Sequence, residues 1–214
     1  MILGFAHLTR STATPESVIA DLAARGMALV AHHKGVPSAS EKWPLLDRPA
    51  KSHELALLSG APASGSPAIE VVAHDTGAVA TPSRLELDAA RSEIRLRVRD
   101  RGTVSRFFAE GLGFRDDGEG ALSLESRFPQ WRVTVRLSQD DAAPIDPPLD
   151  LEGWSCLAFY ATNPESDATH LRSLGGRDAT SVFPVSWTGS RMNIAMLRDP
   201  EGTIIELIKI VDRK

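Results

Sequence analysis

Apolar residues dominate 203–210, which reads as a strand, and because side chains alternate along a strand Ile204, Glu206, Ile208 and Ile210 share one face. A carboxylate in an apolar row is costly to bury unless something pairs with it. The preceding Asp199-Pro200-Glu201-Gly202 predicts a tight turn. Proline sets φ at the second position, and glycine takes the unfavourable angle at the fourth. The same row occurs earlier: AIEVV (68–72) matches IIELI (204–208), with Glu70 in the place of Glu206.

The likeness extends beyond that strand. Residues 4–26 resemble 154–176: a short apolar strand, a helix start at Thr14-Pro15 or Asn163-Pro164, and a stop at Gly26 or Gly175-Gly176. Val18, Ile19, Leu22 and Ala23 form one core-facing stripe on the first helix. A third copy, 92–114, reads as a strand, a cap at Asp100 and a helix ending in Gly111-Leu112-Gly113-Phe114, followed by strands at 120–128 and 130–137. The pattern predicts three β-α-β-β-β units at 2–75, 92–138 and 153–212. Loops are expected at 61–67, 76–84 and 139–153 from their Pro, Gly, Ser and Asp content.

Composition narrows the class. The 214 residues are 42% hydrophobic and 24% charged, as in an ordinary soluble globular protein. A formal charge of −4 argues against nucleic-acid binding. No apolar run reaches the roughly 20 residues of a membrane span. The first residues turn polar too soon for a secretory leader. A single cysteine, Cys156, leaves no internal disulfide and suggests a reducing cytoplasm.

The strand-helix-GLGF of the middle unit and the RDPEGTIIEL of the last resemble the vicinal oxygen chelate superfamily, which includes glyoxalase I, bleomycin-resistance proteins and extradiol dioxygenases. The resemblance implies an α+β fold of three such modules. Mixed sheets would curve into half-open barrels with helices outside. It also implies a divalent metal (Zn, Ni, Mn or Fe) held in the cup by a His on a module's first strand and a Glu on its last. In this sequence His7 and Glu70 fill those positions in the first unit, and Glu206 fills the second in the last. Cys156 stands where the last unit's histidine would be. In the middle unit Glu93 holds the histidine position, and the closing strand has no glutamate.

Two pairings are open at this stage. Either 92–212 forms a two-module domain and the first module, 1–78, covers its cup in a homodimer, or the first and last units close on each other within one chain. The first gives a site of two His7–Glu70 pairs. The second gives His7, Glu70, Glu206 and Cys156. Glu206 could instead pair with Arg191 or Arg198.

Around the cup, Trp187 and Arg191 on a hairpin of the last unit, with His53 and Cys156, are the candidate substrate-pocket residues. Residues 33–52 are long enough to lie over the first unit as a lid. The function expected is metal-dependent isomerase, lyase or epimerase chemistry on a small oxygen-rich molecule, with Glu206 or Glu70 as proton shuttle. The alternative is a metal-free small-molecule binder of the bleomycin-resistance type.

Overall fold

The computed structural model describes residues 1–60, 67–88, 92–126, 132–187 and 189–213, with Trp187 and Arg213 described in backbone only. Most of the loop expected at 61–67 therefore lies outside the described residues. The described residues form an α+β fold with two sheets.

The first begins with β1 (Ile2–Ser11), followed by helix α1 (Pro15–Ala24), β2 (Ala28–Pro37), a 3₁₀ turn (Ser40–Leu45), β3 (Ser52–Ser59) and β4 (Ile69–His74). The second sheet contains β5 (Leu85–Asp88) and β6 (Glu93–Val98), helix α2 (Arg101–Arg106) running into a π turn (Phe107–Gly111), then β7 (Arg115–Gly118), β8 (Ala121–Glu125) and β9 (Arg132–Gln139). The chain closes with β10 (Gly153–Ala161), α3 (Pro164–Ser173), β11 (Phe183–Trp187), β12 (Ser190–Arg198) and β13 (Ile204–Arg213).

The eight-stranded sheet runs β11-β12-β13-β10-β1-β4-β3-β2, a curled, mixed half-barrel. Its two halves meet where β1 pairs antiparallel with β10, and in each half the first and last strands pair in parallel. The five-stranded sheet runs β5-β6-β9-β8-β7, and β6-β9-β8-β7 repeats the order β1-β4-β3-β2. β5 lies just past the stretch expected to be a loop.

The expected two-module grouping of 92–212 is not the sheet topology. The last unit shares its sheet with the first, and the middle unit's sheet stands apart. Alternation explains why. On β6 and β9, Ile94, Leu96, Val98, Val133, Val135 and Leu137 are buried. The opposite face carries ion pairs, Arg136–Glu93 at 2.9 Å, Arg95–Asp88 at 2.8 Å and Arg97–Asp140 at 3.2 Å. A sheet with one apolar and one charged face needs cover on one side only.

That apolar face joins Phe5 and Leu8 of β1, Phe159 of β10 and Leu207 of β13 in a single core on the outside of the half-barrel. On the first half, Ile69 and Val71 face Val18 and Leu22 of α1, which turns Glu70 toward the cup.

Local signals behave largely as read. Gly202 takes φ +103 and donates its N–H to the Asp199 carbonyl at 3.1 Å, while the Asp199 carboxylate accepts from the Thr203 N–H at 2.8 Å. The Glu201 carboxylate in the same turn accepts the Arg99 N–H at 2.8 Å and so ties the last unit to the middle one. Asp100 and Asn163 cap their helices through the N–H groups of Thr103 and Ser166. Thr14 makes no such bond, contrary to expectation. Asn163→Ala is therefore expected to cost about 1 kcal/mol in urea unfolding, and Thr14→Ala less than about half of that.

Candidate metal centre

Three strands deliver one cluster to the floor of the cup. β1 brings His7, β4 brings Glu70 and β13 brings Glu206. His7 Nε2 lies 3.4 Å from Glu70 Oε2 and 3.5 Å from Glu206 Oε2. One donor atom from each of the three falls within 4.8 Å of the others. His7 is 9% exposed and Glu206 4%. His7 Nε2 is buried and has no hydrogen-bond partner.

A divalent ion with bonds of about 2.1 Å holds its donors roughly 3.0–3.4 Å apart. The spacing around His7 and the orphaned nitrogen fit such an ion. One imidazole and two carboxylates suit Zn²⁺, Ni²⁺, Mn²⁺ or Fe²⁺. The buried His7–Glu70–Glu206 group can hold a metal.

The pairing across the half-barrel is what assembles it. His7 faces Ala158 and Thr9 faces Cys156 in the β1–β10 ladder, so a local two-fold exchanges His7 with Cys156. Cys156 is fully buried among apolar neighbours and stands outside the three-residue group. Burial first, then the nearby Glu206 and Glu70 charges, push its thiol well above the ordinary range. It is poorly suited to act as a thiolate.

Other groups tune the cluster. Thr9 Oγ1 donates to Glu70 Oε2 at 3.1 Å and fixes that carboxylate. Lys42 Nζ, from the 3₁₀ turn, lies 4.0 Å from Glu206 Oε1 and 5.7 Å from the centre of the Phe183 ring. Neither arginine weighed for Glu206 is bonded to it. Arg191 is exposed, and Arg198 Nη1 donates to the Pro147 and Gly202 carbonyls at 2.8 and 2.9 Å.

Burial is the largest influence on His7 and works against its charge, but the pull of Glu70 and Glu206 overrides it and raises the imidazole well above its usual value. Burial likewise opposes charge on Glu70, and the His7 charge overrides it, so Glu70 is lowered. In the metal-free protein the His7 contribution to stability is complete below the unfolded histidine value and is lost as pH rises through the raised folded value. The Glu70 contribution is complete above the unfolded glutamate value and is lost as pH falls through the lowered one. A ligating imidazole must be neutral, so a metal displaces the His7 proton. Adding Mn²⁺ near neutral pH is expected to release about one proton per chain. Calorimetry in buffers of different ionisation enthalpy measures it.

Above the cluster opens a cavity of about 570 Å³ lined by His7, His53, Glu70, Lys42, Tyr160 and Glu206 together with aliphatic side chains. His53 is thus brought to the same hollow as His7. Burial, then the Lys42 charge, depress it to about 4, so it is neutral near pH 7. Its Nδ1 is buried without a partner. His74, behind it, borders a smaller inner chamber with His53 and Lys42, and burial lowers it too.

The expected pocket residue Arg191 does not line the cavity, although its neighbours Ser190 and Met192 do, and the side chain of Trp187 lies outside the described residues. The 33–52 segment does cover the cup, but as a fixed wall rather than a free flap. Leu45, Leu46 and Ala50 are buried against Ala6 and Phe183, and the Leu149 N–H donates to the Leu45 carbonyl at 2.7 Å.

Sequence reasoning missed Lys42, Thr9 and His74. His74 lies an even number of residues past Glu70 on one strand, and that parity could have found it. Lys42 and Thr9 carried no comparable signal.

No protein-family model and no curated protein matches the sequence. Among solved structures the chain is similar to glyoxalase I from Zea mays, at 14% identity and a TM-score of 0.37, over 97% of this chain and 69% of that one. It is similar to a glyoxalase/bleomycin resistance protein from Albidiferax ferrireducens T118 at 18% identity and a TM-score of 0.40, over 55% of this chain and 96% of that one. Among the described residues no helix is long and apolar enough to cross a membrane.

Proposed function

We propose that the chain is a glyoxalase-like, metal-dependent enzyme acting on a small oxygen-rich molecule, with His7, Glu70 and Glu206 as the protein ligands of one divalent cation. The observation that carries this reading is the buried His7 Nε2, without a hydrogen-bond partner and 3.4 and 3.5 Å from two carboxylate oxygens. The bound ion would supply Lewis acidity toward neighbouring substrate oxygens. The chain's own residues do the rest. Thr9 holds Glu70 in place, and aliphatic side chains make up much of the cavity wall above it. Both glutamates are engaged at the cation, so proton transfer falls to His53, a neutral imidazole with a free nitrogen at the cavity wall. The reaction class is removal and return of a proton beside a carbonyl, as in isomerisation, elimination or epimerisation.

The test is exchange of solvent deuterium into the C–H beside a carbonyl, followed by NMR over a panel of hydroxy- and oxo-compounds. Metal-loaded protein is expected to exchange, and metal-stripped protein is not. His53→Gln is expected to lower the rate by about 10²–10⁴ with metal content unchanged. A chain that takes up metal yet exchanges nothing favours the second reading, a small-molecule binder. The aliphatic share of the lining, including Leu55, Leu57, Met192 and Ile208, supports that alternative.

A further inference from the structure

Lys42 is out of keeping with its surroundings. The turn that carries it is pinned by the burial of Leu45 and by Trp43 Nε1 donating to the Ala50 carbonyl at 3.1 Å. The lysine is therefore delivered to one place. Its side chain is only 18% exposed, and its nearest carboxylate oxygen, on Glu206, is at 4.0 Å, beyond hydrogen-bond reach. Among the described residues the ammonium makes no side-chain hydrogen bond, although it borders both the main cavity and the inner chamber. A half-desolvated ammonium with unused donors is costly unless it meets an acceptor.

Charge counting identifies that acceptor. The ionised side chains lining the two hollows, His7 aside, are Glu70, Glu206 and Lys42. A ligating imidazole is neutral and the ion carries two positive charges. The loaded site then has one positive charge in excess, located on the lysine side of the floor. Much of the remaining cavity lining, including Val36, Leu57, Val185, Met192 and Ile210, is apolar.

We propose that this site takes a monoanionic substrate, a 2-hydroxy- or 2-oxo-carboxylate with an apolar tail, whose carboxylate is recognised by Lys42. The inference rests on the metal reading above. With the ion held by His7, Glu70 and Glu206, the substrate carboxylate would turn free lone pairs to the Lys42 ammonium and its apolar tail would lie against the aliphatic side chains of the cavity. Lys42 is a specificity-determining residue, held by the 3₁₀ turn between β2 and β3.

The experiment compares mandelate with its neutral analogue mandelamide, each titrated calorimetrically into Mn²⁺-loaded protein. Wild type is expected to bind mandelate at least about tenfold more tightly. In Lys42→Met the preference is expected to fall to about twofold or less, with Mn²⁺ content unchanged. Lys42→Gln serves if the methionine variant does not fold. A preference that survives in the variant comes from the metal alone and overturns the assignment. So does metal-loaded wild type that binds neither compound or shows no preference. Wild type that takes up no Mn²⁺ overturns the metal reading and this inference together, so the two failures are distinguishable.

Discussion

Glu206→Ala is expected to abolish metal uptake while leaving the fold intact. The residue is 4% exposed and its side chain shares a strand face with Ile204 and Ile208, where an uncompensated carboxylate is unfavourable. The nearby cations, His7 and Lys42, are at 3.5 and 4.0 Å, too far to satisfy its oxygens with hydrogen bonds. Alanine removes one of three ligands. Affinity should therefore fall by more than the roughly 10–100-fold that follows loss of a supporting residue. The metal-free variant should be less stable than the metal-free parent, because His7 and Lys42 each lose a buried counter-charge. Equilibrium dialysis with elemental analysis gives the first quantity and urea unfolding the second. Glu93→Ala is the control. Glu93 occupies the histidine position of the middle unit but pairs with Arg136 on the charged face of the second sheet, and its loss should leave metal content unchanged.

Phe159→Ala is expected to be the most destabilising simple substitution in the chain, at about 3–5 kcal/mol. Phe159 is fully buried, with its ring centre 5.4 Å from Phe5 and 6.0 Å from Phe114, both edge-on. It therefore links the first, middle and last units at one point. For a chain of this length the loss corresponds to a fall of roughly 6–20 °C in Tm. Because the three units share this core, unfolding of wild type and variant is expected to be a single transition by both fluorescence and circular dichroism. If 1–78 and 92–212 were independent domains, the variant would instead show two transitions, with only the second shifted.

Much of this was legible in the sequence, and the part that was not has a physical cause. The repeat, two of the three helix caps, the DPEG turn and the matched positions of His7, Glu70 and Glu206 all follow from local patterns. Strand alternation and turn chemistry act over a few residues and are written there. The pairing of units is a long-range choice, and the resemblance to two-module proteins favoured the wrong neighbours. The deciding signal was nonetheless present. EIRLRV and WRVTVRL alternate strictly, with arginines on one face, whereas the first and last strands of the outer units are apolar on both. Only the latter need a second layer on each side. Lys42 was illegible for a different reason. It reaches the cup from a 3₁₀ turn within a long connection, where no periodicity tells which way a side chain points.

The claim on which the rest depends is that His7, Glu70 and Glu206 of a single chain close on one ion. The direct measurement is an anomalous difference map at the manganese edge from crystals grown with Mn²⁺. One peak per chain, bounded by His7 Nε2 and one carboxylate oxygen each from Glu70 and Glu206, is the predicted result. A peak bounded by His7 and Glu70 of two different chains, or no peak among these three side chains, would contradict it.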